Sequence, residues 1–169
     1  VTAPYIIGPL AAEHDRQSFA CGVEPLDRYL RQQAGQDVRR RVSNCFVASP
    51  QASPTVVAGY YTLAATSIPI VDLPDDVTSR LPRYPVVPAA LIGRLAVARE
   101  HRGRSLGAAL LYDAILRTWR ADPAIFALVV DAKDDQATEF YRHFGFASFS
   151  NRQRRLFLAL ATAAKLLQS

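Results

Sequence analysis

A chain of 169 residues with half its residues hydrophobic and 21% charged is sized for one compact domain with a substantial core, which excludes disorder. The formal net charge is +5, and all but Lys133 and Lys165 of the 20 basic residues are arginine, whose planar fork suits phosphate; phosphates, nucleic acid or an acidic protein are therefore the expected partners. No apolar run is long enough to cross a bilayer, and the basic-then-apolar opening of a signal peptide is absent, so a cytoplasmic protein with no membrane partner is expected. Cys21 and Cys45 lie far apart, outside metal-ligand spacing, and read as reduced, buried thiols. His14, His101 and His143 are scattered, and no metal site is expected.

In chain order, Tyr5-Ile6-Ile7 reads as a short strand stopped by Gly8-Pro9. A helix is predicted over 24–33, with Pro25 in its first turn and an apolar face of Leu26, Tyr29 and Leu30. The basic run Arg39-Arg40-Arg41 follows. Strands are predicted over 42–48 and 55–65, paired as an antiparallel hairpin across the turn cluster at 49–54. The stretch 68–88 carries Pro69, Pro74, Pro82, Pro85 and Pro88, which argues for an extended crossover with one short helical turn after Asp75. Beyond it come a strand over 91–97, a helix over 105–120 and a fully apolar strand over 125–130. A short helix over 136–144, closed by Gly145, precedes strands at 146–149 and 156–160. The segment 161–168 is either helical or frayed. The order is α+β around a central β-α-β unit, with no internal repeat or linker.

That central unit holds the most informative stretch, from Gly93 to Leu111. An apolar strand runs into the turn Arg102-Gly103-Arg104-Ser105-Leu106-Gly107 and then into a helix. A helix start presents unpaired N–H groups and the positive end of its dipole, which suits a phosphate or pyrophosphate. Gly103 and Gly107 let a ligand approach the backbone closely. Ser105 carries a hydroxyl able to cap the helix or bond a phosphate oxygen.

This turn resembles the acetyl-CoA motif of the GCN5-related N-acetyltransferases (GNAT family), Arg/Gln-x-x-Gly-x-Gly/Ala, with Ser105 where the family usually has glycine. The resemblance implies a single GNAT-like domain over 1–169. Its α+β, three-layer architecture would hold a mixed, mostly antiparallel central sheet flanked by helices. It also implies acetyl-CoA as co-substrate. Arg102, Gly103, Arg104, Ser105, Leu106 and Gly107 would hold the pyrophosphate, and the backbone of Leu95, Ala96 and Val97 would bond the pantetheine arm. A second segment, Ala137 to Phe146, matches the family's short helix ending in a tyrosine and a Gly-Phe turn. By that resemblance Tyr141 faces the CoA sulfur, where a neutral phenol can give a proton to the departing thiolate; Phe140 and Phe144 read as core. Glu100 and His101 read as solvated or loop-positioning groups, Asp131 as a cap for the turn after its apolar strand, and no strong general base stands out. An α-amino group, substantially neutral at physiological pH, needs little help to lose its proton; a lysine side chain needs more.

A narrower likeness rests on Phe19-Ala20-Cys21-Gly22, Leu26-Asp27-Arg28-Tyr29-Leu30, Gly59-Tyr60-Tyr61-Thr62-Leu63, the proline-rich crossover and Gly93-Arg94-Leu95-Ala96-Val97. Together, over roughly Phe19 to Phe146, they resemble the acetyltransferase toxins of type II toxin–antitoxin systems. The resemblance implies acetylation of the α-amino group of aminoacyl-tRNA, arrest of translation, and a small ribbon-helix-helix antitoxin as partner; such toxins are often homodimers. Arg39, Arg40, Arg41, Arg83, Arg152, Arg154 and Arg155 are the candidate tRNA contacts, with Arg28, Arg31 and Arg80 in the wider set. Two other readings compete. One is a related acetyltransferase for a small amine, peptide or protein N-terminus. The other is a basic nucleic-acid-binding domain without enzyme activity, for which no helix-turn-helix spacing or RNP-type strand is present.

Overall fold

The protein is described from a computed structural model, in which residues 4–167 are described. Its strands form a seven-stranded sheet in the order β1-β2-β3-β4-β5-β7-β6, with helices between them. The strands are β1 (Tyr5–Pro9), β2 (Asn44–Pro50), β3 (Gly59–Pro69), β4 (Val86–Val97), β5 (Ala127–Asp131), β6 (Ala147–Phe149) and β7 (Arg152–Ala159). The helices are α1 (Glu24–Gln32), α2 (Ala34–Arg39), α3 (Asp75–Thr78), α4 (Leu106–Trp119), α5 (Asp135–His143) and α6 (Leu160–Leu167). The mixed, mostly antiparallel sheet agrees with the expected class. The chain divides into two compact units, one from the described residues up to Ala64 with Gly93–Ala114, the other from Ala65–Ile92 with the described residues after Ala114.

In the first unit, β1 pairs antiparallel with β2 from Tyr5↔Pro50 to Pro9↔Phe46, and β2 pairs with β3 from Asn44↔Leu63 to Ala48↔Gly59. This is the predicted hairpin, shifted by a few residues at each end. β2 starts late because Arg41 takes a left-handed φ of 60° and the Val42 N–H returns to the Asp37 carbonyl at 3.0 Å, closing a turn. β3 starts late because the Val56 N–H closes a turn onto Ser53. Proline is the last residue of β1, β2 and β3, where its missing N–H costs the ladder least. Helix α1 buries Tyr29 and Leu30 against Phe19, Cys45, Val47, Tyr60 and Ala96. Asp27 is buried too, because its Oδ1 accepts the Cys21 N–H at 2.9 Å and ties the preceding loop to the helix. Sequence reading missed α2: Ala34 is the one residue it buries, so no apolar stripe announces it. Cys21 and Cys45 are buried, unbridged thiols, as expected.

In the second unit, β4 and β5 pair in parallel from Ala89↔Ala127 to Ile92↔Val130, the expected β-α-β arrangement. β5 pairs antiparallel with β7, and β7 with β6. Their inward residues, Val87, Ala89, Ala127, Val129, Phe149 and Phe157, form a core with Ile68 and Leu73. The short helical turn expected after Asp75 is α3. Pro88 corrects the sequence reading, which left it outside any central strand: it lies in β4 just before the first residue paired with β5, and its carbonyl accepts the Phe126 N–H at 2.9 Å. Here a missing donor is tolerated because the acceptor is still used. β7 begins at Arg152 rather than Leu156, because alternating arginines hide the strand period. Leu160 opens α6 instead of closing the strand; Gln168 lies outside the described residues.

Candidate functional site

The turn from β4 to α4 lies wholly in the first unit and is held at both ends. At its start the Ala98 N–H donates to the Ala58 carbonyl at 2.8 Å, and the Arg99 N–H to the Ala20 carbonyl at 2.9 Å. A single 3-10 turn, Arg99–His101, follows. At its end Leu106, Leu110 and Leu111 are buried and anchor α4. Between these anchors the backbone bends through two left-handed residues, Gly103 at φ 75° and Ser105 at φ 60°. A side chain on Gly103 would meet nothing within 4 Å, so the turn is open on that side. The Ala109 N–H donates to the Ser105 carbonyl at 3.1 Å, which makes Ser105 the residue flanking the helix start. The N–H groups of Leu106, Gly107 and Ala108 then come before the first N–H that donates within the helix, that of Ala109, and remain available to an anion. The backbone and charge at this turn fit a pyrophosphate.

The two arginines of the turn differ. Arg104 is exposed, with no hydrogen-bond or ion-pair partner among the described residues. Arg102 donates from Nη2 to the Cys21 carbonyl. Gly22 makes this approach possible: a Cβ there would stand 3.0 Å from Arg99 Nε and 3.3 Å from Arg102 Nη2, and its φ is 93°. The Phe19-Ala20-Cys21-Gly22 loop is thereby a brace for the turn. His101 also positions the loop, with its Nδ1 2.9 Å from the Tyr5 hydroxyl. A cleft of about 480 Å³ lies beside it, lined by Ser18, Phe19, Val57, Arg99, Glu100 and His101 among others.

Leu95, Ala96 and Val97 lead directly into this turn. Ala96 is buried in the core under α1, so its side chain packs there. The parallel ladder with β5 ends at Ile92, and Gly93–Val97 run on beyond it.

Tyr141 lies in the second unit, on α5. Asp134 caps that helix by accepting the Ala137 N–H at 2.8 Å. The far end closes with a Schellman motif: the Phe146 N–H reaches the Tyr141 carbonyl at 3.2 Å and the Gly145 N–H reaches Arg142 at 2.9 Å, with Gly145 at φ 96°. Tyr141 and Phe146 occupy the paired apolar positions of that motif, their rings 5.4 Å apart. The Gly-Phe turn therefore fixes the tyrosine's place on the helix. Tyr141 is 8% exposed, and burial pushes its phenol up to about 12.

The candidate RNA contacts divide between the units. Arg39, Arg40 and Arg41 are exposed at the end of α2 in the first. Arg83 is exposed in the crossover, and Arg152 and Arg154 are exposed on β7, in the second. Arg154 pairs with Asp135 at 3.2 Å and Arg155 with Asp131 at 3.4 Å, so two of that trio are already engaged by carboxylates. Sequence reading gave Tyr29 only an apolar role. In the structure its hydroxyl donates to Asp37 at 2.7 Å while its ring carries the Arg94 guanidinium 3.5 Å from the centroid. A tyrosine at an apolar helix position, four residues before Gln33 and eight before Asp37, was the available signal.

Known proteins place this geometry. The family model for the acetyltransferase (GNAT) domain matches residues 43–148. A "tRNA-acetylating toxin" of Mycobacterium tuberculosis is 37% identical over 155 residues, covering 90% of both chains. The solved structure of AtaT complexed with acetyl-methionyl-tRNAfMet superposes with a TM-score of 0.89 at 28% identity, covering 98% of this chain and 100% of that one. A mutant AtaT toxin bound to the C-terminus of the antitoxin AtaR and acetyl-CoA gives a TM-score of 0.82 at 25% identity, covering 98% and 99%. With the family model spanning the hairpin, the phosphate-ready turn and the tyrosine helix alike, the chain belongs to the GNAT acetyltransferase family.

Proposed function

We propose that this protein is a toxin that transfers the acetyl group of acetyl-CoA to the α-amino group of an aminoacyl-tRNA and so stops translation. The observation that carries the acceptor is the reach of the likeness. GNAT membership alone rests on residues 43–148, whereas the likeness to the tRNA-acetylating relative spans 90% of the chain. The helices and loop ahead of the family domain therefore belong to the same likeness as the chemistry.

In this reading, Arg102, Gly103, Arg104, Ser105, Leu106 and Gly107 hold the donor's pyrophosphate, chiefly through the first-turn N–H groups of α4. The backbone of Leu95, Ala96 and Val97 holds the pantetheine arm. The α-amino nitrogen attacks the thioester carbonyl carbon, a C–N bond forms, the C–S bond breaks, and the sulfur leaves with the electron pair. Tyr141 is the group that meets that sulfur. Its phenol near 12 keeps its proton throughout the physiological range. Against a thiol of about 8.5, full transfer is uphill by roughly 5 kcal/mol. Tyr141 therefore acts first as a hydrogen-bond donor to the developing negative charge, and the proton released by the acylated amine completes neutralisation. No strong general base is needed for an α-amine, which is substantially neutral near pH 8.

Arg39, Arg40, Arg41, Arg83 and Arg152 supply the general attraction for tRNA, with Arg154 and Arg155 held by their carboxylates. That engagement is the observation favouring the second reading, an acetyltransferase for a small amine, peptide or protein N-terminus. A small ribbon-helix-helix antitoxin and self-association into a dimer complete the proposed assembly, which acts in the cytoplasm. Incubation with labelled acetyl-CoA and charged total tRNA, followed by mass identification, decides between acceptors. Acetyl-aminoacyl-tRNA is the expected product. Efficient acetylation of free amines or peptides with charged tRNA untouched would transfer the assignment to the second reading.

A further inference from the structure

Arg94 is half-buried on β4, immediately before the three residues assigned to the pantetheine arm. Side chains alternate along a strand. Ala96 and Ala98 pack into the core beneath α1, and Arg94 lies on that same face, its guanidinium carbon over the ring of Tyr29, 3.5 Å from the centroid. Its backbone is pinned from the other strand: the Arg94 N–H donates to Thr62 Oγ1 at 3.1 Å. The Tyr29 platform is fixed as well. Its hydroxyl donates to Asp37 Oδ2, Gln33 Nε2 donates to Asp37 Oδ1 at 2.9 Å, and its ring stacks on Tyr60 with planes 16° apart. Asp37 is held below the usual carboxylate range chiefly by the bonds from Gln33 and Tyr29, with the Arg94 charge a smaller cause. Among the described residues no acceptor reaches the guanidinium. A half-buried arginine is thus stacked and positioned while the donors along its edge stay uncommitted, the state in which a planar fork binds a phosphate bidentately.

We infer that Arg94, held on Tyr29, binds a backbone phosphate at the aminoacylated end of the acceptor RNA and is a specificity-determining residue for RNA over free amines. This rests on the function proposed above. A free amino acid or a peptide N-terminus carries no phosphate beside its amine; in an aminoacyl-tRNA the first phosphate is one ribose away from the ester. The other phosphates available are those of CoA, and the two sources separate experimentally.

The test compares the parent, Arg94→Gln and Arg94→Lys by KM for charged tRNA across a salt series and by acetyl-CoA affinity in calorimetry. For Arg94→Gln the KM for charged tRNA should rise roughly tenfold, and the slope of log KM against log salt should fall by about 0.7, one single-strand phosphate contact. Acetyl-CoA affinity should be unchanged. A loss of stability alone moves neither the salt slope nor the split between the two substrates. If Arg94→Gln fails to fold, Arg94→Lys carries the test: lysine keeps the charge without the fork, so KM should still rise several-fold, and an unchanged KM overturns the inference. An unaltered KM and salt slope in a folded Arg94→Gln that still acetylates charged tRNA would overturn the role of Arg94 while leaving the proposed function standing. Weakened acetyl-CoA binding with unchanged tRNA KM would assign the residue to the donor instead. A parent protein inactive on charged tRNA would remove the proposed function and this inference together.

Discussion

The guanidinium of Arg102 donates to the backbone carbonyl of Cys21, so the candidate phosphate turn and a loop 81 residues earlier share one hydrogen bond. Arg104, two residues on, is exposed and unpartnered among the described residues. The pair separates an arginine proposed to brace and bind from one proposed to bind alone. Arg102→Ala should lower stability by about 1.5–3 kcal/mol, the scale of a hydrogen bond to a charged group. Arg104→Ala should stay within about 0.5 kcal/mol of the parent, as a surface change does. Both should weaken acetyl-CoA binding. Urea unfolding and calorimetry of the two variants check this, and an Arg102→Ala protein as stable as Arg104→Ala would mean that the loop does not depend on the bond.

Gly59 opens β3 where three elements of the first unit converge. A Cβ there would lie 3.0 Å from the Ala96 carbonyl oxygen, 3.0 Å from Leu110 Cδ1 and 3.3 Å from Leu106 Cδ2. The carbonyl belongs to the strand assigned to the pantetheine arm and cannot swing aside as a side chain can. Gly59→Ala should cost about 1–3 kcal/mol by overpacking and should also weaken acetyl-CoA binding, because the displaced backbone is the surface proposed for the pantetheine arm. A variant with parental melting temperature and affinity would show that the strand yields without consequence.

Much of this was legible in the residues, and the exceptions have physical causes. The Gly-containing turn, the tyrosine helix and the β4-α4-β5 unit announce themselves through local signals: apolar runs, glycines at left-handed positions and a helix end. Helix α2 does not, since Ala34 alone is buried and tertiary packing rather than amphipathicity holds it. Pro88 misleads because its cost depends on which strand edge its nitrogen faces, a property of sheet order rather than of sequence. The platform of Arg94 on Tyr29 joins residues 65 positions apart, and no spacing rule links them. The stretch Arg152 to Arg155 reads as one basic patch, but strand alternation and the pairs with Asp135 and Asp131 give its members different surroundings.

Ser105 stands at a left-handed φ of 60°, where a side chain costs about 1–2 kcal/mol and glycine costs nothing sterically. Ser105→Gly restores the residue usual in the family's motif. Part of the gain is offset by the greater freedom of glycine in the unfolded chain, so a net stabilisation of about 0.5–1 kcal/mol is expected, with acetyl-CoA affinity equal or better. Thermal unfolding with and without acetyl-CoA reads both quantities. A destabilised variant would mean that the serine hydroxyl contributes more than the strain removes.

Tyr141 gives a prediction in both catalysis and stability. Tyr141→Phe keeps the ring against Phe146 and removes the proton, so turnover should fall by about 10²–10⁴-fold with acetyl-CoA affinity nearly unchanged. Folding raises the phenol from 10.0 to about 12, so the folded protein holds this proton more tightly than the unfolded chain does. The resulting stabilisation, about 3 kcal/mol, is complete below pH 10 and is lost as pH rises through 12. Urea unfolding at pH 9, 10 and 11 should therefore show the parent losing stability more steeply than Tyr141→Phe. Tyr29 and Tyr60, whose phenols burial also pushes up, leave a residual slope in both proteins. The same raised value places no Tyr141 ionisation limb in the rate profile below about pH 10; a rate that falls with an apparent pKa near neutrality would belong to another group. A Tyr141→Phe enzyme with parental turnover would reduce Tyr141 to a packing residue, and the departing sulfur would then have to draw its stabilisation from the backbone of β4.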